Sequence, residues 1–127
     1  MLPADRPVWD AFLNKNPTLF ERIYYDVLIG GVVATEPGLT QTEIDMFYHN
    51  TAKRIDALAE LKDEVWIIEV ADRPGLRATG QLLTYMALWL EDPKILKTTK
   101  AVLVCSAIDS DLEKAMVFHG VLVRHAF

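Results

Sequence analysis

The spacing of hydrophobic positions changes several times along the chain, and each change marks an element. Val8, Trp9, Phe12 and Leu13 share one helical face, with Asp5 placed to cap and Pro7 suited to the first turn. Asn16-Pro17 stops that run, so a first helix is predicted over 5–15. Residues 19–34 (LFERIYYDVLIGGVVA) are rich in β-branched and aromatic residues and predict one strand, or two broken at Gly30-Gly31. The stretch 35–52 carries turn signals and then either a short strand or a turn of helix. Residues 53–61 and 64–71 read as strands joined at Lys62-Asp63. DRPG at 72–75 is a turn, and 76–91 predicts a helix stopped by Asp92-Pro93. Residues 99–107 read as a buried strand. Ser110 with Glu113 makes a capping box for a helix over 111–119, which Gly120 closes, and 121–126 is a last strand. The order α-β-β-β-α-β-α-β implies an α/β fold. Its expected form is a mixed central sheet flanked by helices, with residues 1–127 as one domain.

The central hairpin carries the chemistry. With its turn centred between Lys62 and Asp63, Asp56 falls opposite Glu69, Leu58 opposite Ile67 and Arg54 opposite Ala71. The other face carries Ile55, Ala57, Ala59, Trp66, Ile68 and Val70, all apolar. Carboxylates facing across two strands lie ~5 Å apart. They repel by roughly 1–4 kcal/mol, depending on the local dielectric. A hard divalent cation such as Mg²⁺ relieves that repulsion; so does a solvated sheet end with nearby basic residues. Arg54, one step along the same face, either balances the acid pair or steers a phosphate.

On the helix 76–91, Leu76, Gly80, Leu83, Ala87 and Leu90 form one apolar stripe. It is expected to pack on the sheet, with Gly80 allowing close approach. Arg77, Gln81 and Tyr85 form the adjacent ridge. That ridge is either a solvated boundary or, if it faces the acid pair, a set of hydrogen-bond donors and a phosphate clamp.

Composition narrows the classes. The net charge of −5 argues against broad, non-specific nucleic-acid binding while leaving room for a local basic groove. No apolar run approaches the ~20 residues of a membrane span. MLPADRPVWD lacks the basic-then-apolar pattern of a signal peptide. The single cysteine, Cys105, lies in the apolar run AVLVCSA and reads as a buried thiol in a reducing compartment. His49, His119 and His125 lack metal-ligand spacing, and Lys94, Lys97 and Lys100 read as a solvated loop. Trp89 is a candidate for an exposed assembly surface. A further acid from Glu21, Asp26, Glu43 or Asp45 is in a position to join the pair.

Arg54-Ile55-Asp56, Ile68-Glu69-Val70-Ala71 and Gly80-Gln81-Leu82-Leu83-Thr84-Tyr85-Met86, in that order, resemble the PD-(D/E)XK nuclease superfamily. The closest flavour is its RecB-like branch, and the resemblance covers roughly residues 53–124. It implies a restriction-endonuclease-like αβββαβ core. It also implies Asp56 and Glu69 as metal-binding acids, Mg²⁺ as the cofactor of an active member, and Gln81 and Tyr85 as the supporting motif. The motif lysine is replaced by Ala71, with Arg54 and Arg77 as candidate substitutes that supply charge but not a base. Two functions follow. One is a nuclease-fold module without catalysis, docked among the other protein subunits of an assembly such as a phage head–tail junction. The other is an active Mg²⁺-dependent nuclease that hydrolyses DNA phosphodiester bonds. Both place the protein in the cytoplasm or a virion, not secreted and not in a membrane, with an oligomer compatible with either.

Overall fold

Strand-forming runs dominate the first half of the chain and helix-forming runs alternate with strands in the second, which dictates the topology. In the computed structural model, which describes residues 1–127, a 3₁₀ turn over Pro3–Asp5 leads into α1 (Arg6–Lys15). The chain continues through β1 (Arg22–Gly30), α2 (Gln41–Thr51), β2 (Ala52–Glu60) and β3 (Glu64–Ala71). It closes with α3 (Leu76–Glu91), β4 (Thr98–Cys105), α4 (Ser110–Phe118) and β5 (Leu122–His125). The five strands form one open sheet in chain order. β1, β2 and β3 are antiparallel, whereas β3, β4 and β5 are parallel, so α3 and α4 serve as crossovers. The protein is thus α/β, with a mixed sheet flanked by helices in the expected αβββαβ order. α2 is an insertion between the first two strands.

Each sheet face carries its own core. Val8, Trp9 and Phe12 of α1 pack with Ala57, Ala59, Trp66, Ile68, Val70, Val102 and Val104. On the opposite face, Ala78, Leu82, Tyr85 and Trp89 of α3, with Leu112 and Met116 of α4, cover Ile55, Leu58, Val65, Ile67 and Leu103. β3 and β4 are covered on both faces, which is why Val65–Ile68 and Val102–Cys105 are unbroken apolar runs.

Several expectations are corrected. The stripe of Leu76, Gly80, Leu83, Ala87 and Leu90 faces away from the sheet, and a Cβ at Gly80 would meet nothing within 4 Å. α3 packs instead through Ala78, Leu82, Tyr85 and Trp89. Trp89 is therefore fully buried rather than exposed, and its Nε1 donates to Thr99 Oγ1 at 3.0 Å. Ile55 belongs to the α3-side core, not to the face shared by Ala57 and Ala59. Asp109, not Ser110, caps α4, accepting from the Asp111 amide at 2.8 Å. Asp5 precedes α1 without capping it; its Oδ1 accepts from the Asp72 amide at 3.1 Å. The stretch 35–52 contains three turns of helix, opened by a reciprocal capping box between Thr40 and Glu43.

The helix phase is directly measurable. Leu82→Ala is expected to cost about 2–5 kcal/mol in urea unfolding. Gly80→Ala in dilute protein should stabilise by roughly 0.5–1 kcal/mol, because an exposed helical position gains propensity without a clash. The reverse ranking would restore the phase expected from the sequence.

Candidate acid-pair cleft

The hairpin register is the one expected: Ala57 faces Ile68, Leu58 faces Ile67, Ala59 faces Trp66 and Glu60 faces Val65. The ladder then stops. β2 and β3 part beyond Ala57 and Ile68, so neither Asp56 with Glu69 nor Arg54 with Ala71 forms a backbone pair. Where the next rung would lie, Asp56 Oδ2 accepts from the Val70 amide at 3.0 Å. On the other side of β2, the β1 ladder skips Asp26, which has a left-handed φ of 53°. The change of sheet face at Ile55 follows from this local twist, since Val27 and Ile29 turn to the α3 side with it.

The fork opens a cleft of about 570 Å³. Asp56, Glu69, Gln81, Tyr85, Arg54 and Arg77 all line it, as does Ala71. The α3 ridge therefore faces the acid pair. Three charged lining groups were not assigned to the site from the sequence: Asp5, Arg73 and the Met1 terminus. Asp5 is brought in by its hydrogen bond to the Asp72 amide, and Arg73 by the same turn. The turn sequence DRPG was legible, but not that α1 would be tied to it.

Charge is unevenly balanced in the cleft. Burial pushes the Glu69 carboxyl up to about 8, with the Asp56 charge adding to the rise and the Met1 ammonium opposing it. Protonated Glu69 can share its proton with Asp56, while its Oε2 is buried without a hydrogen-bond partner. The Met1 ammonium lies 3.0 Å from Asp56 Oδ1 and 3.6 Å from Asp26 Oδ1. Burial also raises the Tyr85 phenol, aided by the charges of Glu69 and Asp56, which places all three in one electrostatic neighbourhood. Of the four candidate further acids, Asp26 alone lies beside the pair. Glu43 is engaged in capping α2, and Asp45 accepts from Gln41 on α2.

Two hard oxygen donors thus converge, and no group of three or more His, Cys, Asp or Glu side chains is arranged to hold a metal. Two carboxylates suffice for Mg²⁺, which keeps several waters and is commonly held by one or two acids. The orphaned Glu69 Oε2 fits that chemistry. Elsewhere, the lysine cluster is neutralised locally. Lys97 pairs with Glu60 at 2.9 Å, Lys100 with Glu64 at 3.0 Å, and Lys94 with Asp92. Cys105 is buried, and burial pushes its thiol up to about 11.

No protein-family model matches the sequence, and no curated protein matches it. Among solved structures, the fold is similar to the "Crystal Structure of Protein of Unknown Function AF1548". The TM-score is 0.53 at 15% identity, over 93% of this chain and 55% of that one. That likeness concerns the fold alone. No helix is long and apolar enough to cross a membrane.

The Glu69 shift has a defined sign. Its carboxyl binds a proton more tightly in the folded protein than in the unfolded chain. The associated stability is complete below the ordinary carboxylate range and is lost as pH rises towards about 8. In chelator-treated protein, Glu69→Gln should therefore gain melting temperature over the native chain between about pH 5 and about pH 8, then hold a constant margin. An equal margin at all pH values would show that Glu69 does not titrate in this window.

Proposed function

We propose that the chain is a nuclease-fold domain that has lost catalysis and works as a docking module within a larger protein assembly. One observation carries this reading: Ala71 opens onto the cleft beside Glu69, and no lysine lines that cleft. A nuclease of the kind the motifs resemble relies on that ammonium beside its metal-binding acids. The side chains that could substitute, Arg54, Arg73 and Arg77, stay protonated and can balance charge, but cannot accept a proton from water.

The inserted α2 supports the same reading. None of its side chains is buried, and no strand or helix packs broadly against it. A lone helix of this length is marginal in water. It is tethered at one end, where Gly31 leaves room for the Tyr48 ring and the Val32 amide donates to Thr51 Oγ1 at 2.8 Å. Its exposed Met46 and Phe47 give it an apolar outer surface. Such an arm is suited to burial against another subunit.

The retained acids favour one second reading, an active Mg²⁺-dependent nuclease. A divalent ion held by Asp56 and Glu69 would supply Lewis acidity and lower the pKa of a bound water. In that reading Gln81 and Tyr85 orient the water by hydrogen bonding, and Arg77 holds a phosphate oxygen. Arg54 balances charge at the cleft mouth.

Incubation of the purified chain with plasmid, single-stranded DNA and RNA, in Mg²⁺ and then Mn²⁺, separates the two. The expected result is no cleavage and no metal-induced rise in melting temperature. Cleavage that vanishes in Asp56→Asn would establish the enzyme instead. Independently, Met46→Ser with Phe47→Ser is expected to shift unfolding free energy by less than about 0.5 kcal/mol, as for side chains awaiting a partner. A large loss would mean that the arm already serves the fold.

A further inference from the structure

The outward face of α3 has no role in the fold or in the cleft chemistry. It repeats apolar residues at steps of four, three, four and three: Leu76, Gly80, Leu83, Ala87 and Leu90. Leu76 is 83% exposed, Leu90 60% and Leu83 37%. That spacing is the seam of a helix that packs lengthwise on another helix. Leu82 and Trp89, on the opposite face, already satisfy the sheet. The helix is therefore apolar on two arcs, and one of them lacks a partner.

The leucines are symmetric about Leu83, with Leu76 and Leu90 each seven residues away. If a second α3 is laid antiparallel with Leu83 over Leu83, Leu76 meets Leu90 at both ends. Gly80 then lies within one residue of Ala87 of the other copy, and these small residues let the two backbones approach closely. The charges are centred one residue further on, at Thr84. Arg77, which also borders the cleft, Thr84 and Glu91 lie along one flank of the seam, and all three are exposed. In an antiparallel pair related by a two-fold axis, residues of the same flank face each other. Arg77 of one copy then falls about 3 Å along the axis from Glu91 of the other, within reach of both side chains, twice, with Thr84 near Thr84. Neither Arg77 nor Glu91 has an ion-pair partner within the chain. A parallel pair would instead set Arg77 against Arg77 and Glu91 against Glu91.

We infer that this face binds a second copy of the same chain, forming a two-fold antiparallel α3–α3 dimer centred on Leu83. The inference is independent of whether the cleft cleaves nucleic acid. A helix of 16 residues spans about 24 Å. Pairing along that length alone is smaller than a standard interface of ~800 Å² per partner, so the association is expected in the micromolar range.

Sedimentation equilibrium of the full chain across the micromolar range tests it. A reversible monomer–dimer equilibrium is expected. Leu83→Glu places two carboxylates on the axis and should leave only monomer, with an unchanged circular-dichroism spectrum. Arg77→Glu and Glu91→Arg should each weaken the dimer roughly 2- to 10-fold by juxtaposing like charges. The double variant should return to within about twofold of the native constant, because the swapped pair is again opposite in sign. An equimolar mixture of Leu76→Cys and Leu90→Cys proteins, mildly oxidised, should form mostly the mixed disulfide; the buried Cys105 does not compete. Any of three results overturns the proposal: a chain monomeric throughout, a charge swap that fails to restore association, or cross-links that join like positions rather than Leu76→Cys to Leu90→Cys.

Discussion

Two carboxylates are brought together at the point where two strands part, and the rest of the site is arranged around that conflict. Asp56 and Glu69 belong to neighbouring strands whose ladder ends one step before them. Had the ladder continued, the pair would sit in a closed sheet, without room for water or an ion. Because it stops, Asp56 can turn to take the Val70 amide, and a cleft opens between the strand ends and the ridge of α3. Burial pushes the Glu69 carboxyl up, and the neighbouring Asp56 charge adds to the rise.

Much of this arrangement was legible in the sequence. The hairpin register follows from a polar two-residue turn between apolar runs, and slipping it by one residue would have moved Asp56 off the face that Glu69 shares. Gln81 and Tyr85 could be placed near the acids from their ridge on a helix that directly follows β3. The fork itself was not legible, because it depends on a left-handed residue at Asp26, and nothing in RIYYDVLIG announces one. Ile55 departs from the expected face for the same reason: strict alternation fails across a strand that twists beside the left-handed Asp26 of its neighbour. α2 was legible in principle. Thr40 and Glu43 spell a capping box, but the weak apolar period after it hid the helix.

The acid pair and the absence of a lysine from the cleft pull the function in different directions. One cleft gathers two hard oxygen donors, a glutamine, a buried tyrosine and three arginines, a set able to bind a phosphate. Yet charge complementarity is not proton transfer. A guanidinium can hold a phosphate or relieve the carboxylates, but it remains protonated throughout. In the proposed reading, Ala71 at the position of the motif lysine removes a chemical step and leaves the binding surface nearly intact. A domain changed in this way keeps its shape and its cleft while its remaining constraints come from what it touches.

The phase of α3 is the most informative misreading. Hydrophobic periodicity states that a face is to be buried, and says nothing of what buries it. α3 has two apolar arcs, one through Ala78, Leu82, Tyr85 and Trp89 and the other through Leu76, Leu83 and Leu90. The sheet could have taken either. The choice is settled by shape and by the cleft. The first arc carries the two large aromatic rings, which fill the space over β3 and β4. It also sets Gln81 and Tyr85 on the side of the acids. Packing the leucine arc inward would have turned both rings to solvent and removed the ridge from Asp56 and Glu69. The leucine seam is thus not surplus core. It is a second apolar surface, in register with its own reverse, on a protein whose net charge of −5 otherwise holds like molecules apart.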